Sequence, residues 1–149
     1  MKKNINQKGF TLVEVLLVVV IIAILAGIVI IAINPGRQIS QANNTQRSSD
    51  VQAVINAIHE YAVDNRGALP AGITGVATVI GSGAGQVNIC SLLVPTYMAA
   101  MPYDPTAAGA GYTDCTTYNT GYTVLSAASG RVTVAAPTAE LAKVISVTR

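Results

Sequence analysis

The chain has 149 residues, of which 51% are hydrophobic and only 11% charged, and its formal net charge is +2. A mean hydropathy of +0.49 excludes intrinsic disorder, which needs low hydrophobicity and high net charge, and so small a positive charge excludes a basic nucleic-acid-binding face. One His and two Cys exclude a His-rich metal site and any zinc site built from four Cys and His ligands.

The hydrophobicity is concentrated at the start. Residues 1–9, MKKNINQKG, hold Lys2, Lys3 and Lys8 and no acid. From Phe10 to Ile33 the chain then runs FTLVEVLLVVVIIAILAGIVIIAI, with Glu14 its single charge. The uncharged part, Val15–Ile33, makes a helix of ~28 Å, close to the ~30 Å of a bilayer's hydrocarbon core. Lipid offers no partners to unpaired backbone groups, so the segment must be helical. The lysines before it favour a cytoplasmic N-terminus. A cleaved secretory signal fits poorly, because the apolar run exceeds 7–15 residues and no Ala-x-Ala site follows. A plain single-span anchor explains the length but leaves Glu14 without a purpose.

Lys8-Gly9-Phe10-Thr11-Leu12-Val13-Glu14, followed by the unbroken Val/Ile/Leu/Ala run, resembles the class III signal of type IV prepilins and type II secretion pseudopilins. The resemblance implies that a membrane-embedded aspartyl peptidase cuts between Gly9 and Phe10 and methylates the new N-terminal Phe10. It implies an inner-membrane precursor, a mature extracellular or periplasmic filament, and an assembly machinery with a motor ATPase as partner. Cleavage would remove three basic residues and leave six against seven acidic ones, so the basicity belongs to the leader and no nucleic-acid partner is expected. The physics of the motif is direct. Glu14 lies one helical turn from Phe10, so its carboxylate can meet the Phe10 ammonium of its own or a neighbouring subunit. A paired buried acid is tolerable where a lone one is not. Such contacts do not close on themselves and generate a helical homo-oligomer.

Asn34-Pro35-Gly36 interrupts the run and reads either as a helix end or as a kink. Many members of the family place a Pro earlier, near where Ile31 stands, so any local melting would be shifted here. Gln38–Asp50 is nearly all polar, and a helix polar all round is bridging or weakly formed, so the segment reads as connecting turns. Val51, Val54, Ile55, Ile58 and Ala62 recur at helical spacing and need a partner further along the chain. Gly67 is the expected C-cap, with Pro70 beyond it. A continuous helix from Phe10 to Asn65 would reach ~80 Å. The boundaries expected are a cleaved leader at 1–9, a membrane or filament-core helix at 10–35, an amphipathic helix at 36–67 and a head at 68–149. His59, the lone imidazole, flanks the apolar face and reads as a solvated or partly buried surface residue.

In the head, Gly81-Ser82-Gly83-Ala84-Gly85 lacks the Lys-Ser/Thr of a phosphate loop and reads as a flexible connection, with a short strand at Val76–Ile80. Ser91–Met101 suggests a helical turn, and Met101-Pro102-Tyr103-Asp104-Pro105 a tight turn. Gly121–Ala127 and Arg131–Ala136 alternate around Ala128-Ser129-Gly130, a β-hairpin, and Leu141–Thr148 adds a third strand. The expected class is α+β: a long apolar helix continuing into an amphipathic helix packed on a small antiparallel sheet. Cys90 and Cys115, both placed in loops, read as one disulfide in an extracytoplasmic chain. Asp104 and Asp114 form a candidate Ca²⁺ pair, since some major pseudopilins bind calcium in a comparable loop, but two carboxylates are few for a site of six to eight oxygens. Asn43-Asn44-Thr45 matches a glycosylation sequon. No Ser/His/Asp, Cys/His or Glu/Glu constellation is assembled, so no enzyme and no cofactor is expected. The alternatives are a type II secretion pseudopilin, or a single-span protein whose head binds a ligand without polymerising.

Overall fold

The computed structural model describes residues 9–149; Lys2, Lys3 and Lys8 of the expected leader lie outside the described residues. These fall into two compact units, one ending at Gln38 and one spanning Ile39–Arg149.

The first unit is dominated by helix α1 (Leu12–Ile33), none of whose residues is buried. Val, Ile and Leu occupy every side of it, so it has no polar stripe to turn toward water. Such a helix belongs in a core or a membrane. It ends at Asn34, which is left-handed at φ 48° and whose side-chain oxygen accepts from the Arg37 N–H at 3.3 Å. Pro35 opens helix α2 (Pro35–Asp64), where its missing N–H costs nothing. The Asn34-Pro35-Gly36 interruption is thus one residue long.

In the second unit, Val51, Val54, Ile55, Ile58 and Ala62 of α2 are all buried, as their spacing requires. The helix closes at Gly67, whose N–H donates to the Ala62 carbonyl at 2.7 Å from a left-handed φ of 87°. Gln38–Asp50 is helical throughout; what departs from its reading as bridging turns is that Asn44, Arg47 and Asp50 within it are buried. It is held by polar side chains of the head, so its face is buried without being apolar.

The α2 core face packs on a five-stranded antiparallel sheet: β1 (Thr78–Gly81), β2 (Gly111–Asp114), β3 (Thr117–Ser126), β4 (Val132–Ala136) and β5 (Ile145–Thr148). The strand order is β1-β3-β4-β5, with β2 also paired to β3. Alternation is clean along β3, where Tyr118, Thr120, Tyr122 and Val124 point inward, and along β4, where Val132, Val134 and Ala136 do. The β3–β4 hairpin is the expected one, registering Ser126 with Val132. The sequence reading has counterparts for four of the five strands and lacks β2, which forms a hairpin with β3 across the Cys115-Thr116 turn. The first strand lies slightly later than expected, and Leu141–Val144 is loop, leaving only Ile145–Thr148 as strand. The Gly81–Gly85 segment is a tight turn, tied by the Gln86 side-chain oxygen accepting from the Gly83 N–H at 2.8 Å. Cys90 is not in a loop: it begins the short helix α3 (Cys90–Leu93).

Candidate functional site

The residues singled out at the N-terminus sit at the mouth of α1. Gly9 and Phe10 lie outside the helix and are exposed, and the first helical residue is Leu12. Thr11 is the N-cap: its hydroxyl accepts from the Glu14 N–H at 3.2 Å, and its carbonyl accepts from the Val15 N–H at 3.2 Å. Thr-x-x-Glu is the sequence signature of a capping box, a signal that the emphasis on charge pairing passed over. It places Glu14 in the first turn, where a carboxylate is stabilised by the positive end of the helix dipole. The cap lies wholly C-terminal to the Gly9–Phe10 bond, so the helix start is complete without any residue before Phe10. A Cβ on Gly9 would meet nothing within 4 Å among the described residues.

Cys90 and Cys115 are joined in a disulfide, with Cα atoms 5.2 Å apart. It fastens α3 to the β2–β3 turn. Asp114 beside it is exposed, and one of its oxygens accepts from the Thr116 N–H (2.8 Å), the Thr116 hydroxyl (2.6 Å) and the Thr117 N–H (2.9 Å). The Thr116 hydroxyl and backbone bonds hold this carboxyl below its usual range.

Asp104 is not with Asp114; it is buried against α2. Its Oδ2 accepts from Arg47 Nε at 2.7 Å and from the Thr138 hydroxyl. Its Oδ1 accepts from Arg47 Nη2 at 3.1 Å and from the N–H groups of Thr106 and Ala107 at 2.8 and 3.0 Å. Burial alone would raise the Asp104 carboxyl, but the bonds from Arg47, Thr138 and the two backbone donors outweigh it and hold the group well below the usual carboxylate range. Arg47 Nη1 reaches on to Glu140 at 2.9 Å. Glu140 is lowered in turn by Arg47, Asn43 and Ser40. The Asp104 bonds raise the Arg47 guanidinium against the opposing effect of burial.

One turn on, Asp50 accepts from the Tyr122 hydroxyl at 2.7 Å and from Gln46 at 2.7 Å. Burial raises the Asp50 carboxyl despite these bonds, and burial together with Asp50 raises the Tyr122 phenol. Arg47, Asp50, Tyr122 and Glu140 were not foreseen as a cluster. In a chain with so few charges, asking what partners each one would have drawn attention to them.

The donor set does not suit calcium. Both Asp104 oxygens are committed to donors, Asp114 is elsewhere, and among the described residues no three His, Cys, Asp or Glu side chains lie close enough to share an ion. Asn43, the sequon residue, is mid-helix with its amide nitrogen donating to Glu140 at 3.0 Å, which leaves it committed. His59 has a buried Nε2 without a partner among the described residues.

A family model described as a prokaryotic N-terminal methylation motif matches residues 4–30. The type II secretion system core protein G of Pseudomonas aeruginosa is 31% identical over 100 residues, covering 67% of this chain and 68% of that protein. Proteins of the same name from Escherichia coli and Vibrio cholerae are 35% and 40% identical over 65 residues, which is 44% of this chain and 43% of each of them. The chain is therefore matched to about two thirds of the first relative's length and to under half of the other two. No solved structure matches it at comparable significance.

Proposed function

The chain belongs to the type IV pilin-like family, and from that premise we propose that it is a structural subunit of a filament, made as a membrane-anchored precursor. The observation that carries this is α1: twenty-two residues, long and apolar enough to cross a membrane, preceded by the Gly9-Phe10 junction. A helix of ~33 Å spans a bilayer, and the same surface packs against identical helices once copies leave the lipid. On this reading a prepilin peptidase removes residues 1–9 and methylates Phe10. The Glu14 carboxylate of one subunit then meets the Phe10 ammonium of a neighbour and sets the axial register. The leader keeps the N-terminus cytoplasmic, and an assembly machinery with its motor ATPase extracts and stacks the subunits. The chain is a substrate of that enzymology and contributes no chemistry of its own.

Within the family, the shared name of the three relatives favours a type II secretion filament over a surface pilus. The decisive measurement is mass spectrometry of the mature N-terminus. An N-methylated Phe10 is the expected result; an intact Met1, or a cut near Ala32, overturns the proposal. Immunogold microscopy of cells and of sheared surface material then separates the two filaments, a periplasmic location being expected.

A further inference from the structure

The loop between β4 and β5 is firmly anchored yet exposes its tip. The Glu140 carboxylate accepts from Ser40, Asn43 and Arg47 of α2, and its backbone carbonyl and N–H bond to the two ends of the Asn44 side-chain amide. The next two residues, Leu141 and Ala142, are left-handed at φ 58° and 53°, a conformation that side chains disfavour and that persists only where the surroundings impose it. Beyond this anchor Leu141, Lys143 and Val144 are all exposed, Leu141 by 50% and Val144 by 87%. The loop therefore presents one ammonium flanked by two aliphatic side chains.

Near the other end of α2 a groove is lined by His59, Glu60, Val63, Asp64, Thr96 and Tyr97. Its chemistry is the reverse of the loop's. Glu60 and Asp64 are neighbours one turn apart on the helix surface, and Val63 beside them is 78% exposed. The Tyr97 hydroxyl donates to Asp64 at 2.9 Å, which engages one oxygen of that carboxylate and places the ring along the groove. Arg66, the next charge in the sequence, lies beyond the end of α2 and outside the lining. Among the described residues Glu60, Asp64 and Lys143 have no ion-pair partner. Lys143 shares a cleft with Gln41, Asn44 and Thr45. From Thr45 to Glu60 the helix rises ~22 Å, so the loop does not reach the groove of its own chain.

We propose that the Leu141–Val144 loop of one copy docks in the His59–Tyr97 groove of a second copy. Lys143 enters between Glu60 and Asp64, while Leu141 and Val144 cover Val63 and the Tyr97 ring. Two unlike patches, far apart on one surface and complementary in charge, make a heterologous contact that repeats without closing. Copies stacked through α1 require such a contact of their heads, and the inference rests on that filament reading. One exposed ion pair contributes little to stability; its effect is to fix how one head sits on the next, because a shifted register leaves the charges unmatched.

The test is zero-length carbodiimide coupling of filaments assembled from the full chain, followed by mass spectrometry of the joined peptides. Lys143 is the only lysine after Lys8, so in the processed chain any amide between two side chains involves it. The expected result is a ladder of multimers in which Lys143 is bonded to Glu60 or Asp64. Lys143→Glu is expected to lower filament yield at least about threefold, and Glu60→Lys with Asp64→Lys in the same chain to restore it. All three positions are exposed, and circular dichroism checks that each variant keeps its fold. Wild-type filaments in which Lys143 couples to other acids, or to none, overturn the docking and leave the filament reading standing. A charge swap that fails to restore yield overturns the pairing of these residues. A processed wild type that forms no filaments overturns both readings.

Discussion

Asp104→Asn isolates the buried ion pair with almost no change in volume. The substitution removes the charge facing Arg47 and turns an amide N–H toward groups that now donate: Arg47, Thr138, Thr106 and the Ala107 N–H. Breaking one partner of a buried pair costs about 3–5 kcal/mol, because the other charge is left buried and uncompensated. Glu140 still holds Arg47 Nη1 at 2.9 Å, so the lower end, ~3 kcal/mol, is expected. A unit running from Ile39 to Arg149 loses roughly 4 °C per kcal/mol, which gives a Tm fall of about 12 °C at pH 7. The pH dependence has a definite sign. The folded Asp104 carboxyl is lowered, so its contribution is present above the unfolded value of about 4 and disappears as pH falls through the lower folded value. The Tm gap between wild type and Asp104→Asn is therefore expected to hold from neutral pH to about 5 and to narrow in stronger acid. Circular dichroism melts across that range measure it. A gap under about 4 °C at pH 7, or one that widens in acid, would refute the assignment of Asp104 as the charged partner of Arg47.

Asp50 behaves oppositely: burial raises its carboxyl, so ionising it above the folded value costs stability, and Asp50→Asn, still able to accept from Tyr122, is expected to lower Tm at pH 7 by less than about 1 kcal/mol's worth or to raise it. Gly121→Ala is expected to cost at least about 2 kcal/mol, since φ is +72° and the new Cβ would lie 2.9 Å from Ala107 Cβ and 3.1 Å from Asp104 Cβ, whereas Gly130→Ala, at φ +79° with nothing within 4 Å, carries only the ~1–2 kcal/mol backbone penalty; melts of the two variants side by side test the difference. Glu14→Ala is expected to leave insertion and cleavage intact and to abolish filaments, and a wild-type filament yield would refute the register argument. Gly9→Val meets nothing among the described residues, so the loss of cleavage expected of it, read by mass, reports on the peptidase.

What was legible in the sequence is what depends on near neighbours. The Val51–Ala62 face announced itself by spacing, the β3–β4 hairpin by alternation around Ala128-Ser129-Gly130, and the disulfide by there being only two cysteines. The burial of the Gln38–Asp50 face was not legible because its partners are remote: Arg47 meets Asp104 and Glu140 57 and 93 residues away, and Ser40 meets Glu140 100 residues away. A polar helical face is indistinguishable from a solvated one until those carboxylates are folded against it. β2 escaped because four residues, Gly-Tyr-Thr-Asp, carry no run of alternation long enough to register. At the N-terminus the motif was legible as a string, yet Thr11 was read as part of the string and not as the cap it is.

The two units answer different requirements. Covering one Val, Leu or Ile side chain is worth about 1.5–3 kcal/mol, and α1 exposes such residues at nearly every position from Leu12 to Ile33. On the proposed reading the helix therefore determines where the chain resides, in lipid first and against its copies afterwards. On the same reading the head faces the reverse problem, since a filament would bring many identical heads together and repeat any net charge at every step. Without residues 1–9 the side chains carry six basic against seven acidic groups, and two of those acids, Asp104 and Glu140, share Arg47. Repulsion between copies then amounts to about one screened charge each, acting over a Debye length of ~8 Å. A basic leader left in place would add three lysines to every subunit at the end that must enter the packed helices, so on this reading its removal serves electrostatics as much as the exposure of Phe10. A chain that retained residues 1–9 through Gly9→Val is accordingly expected to remain in the membrane even when Glu14 is intact.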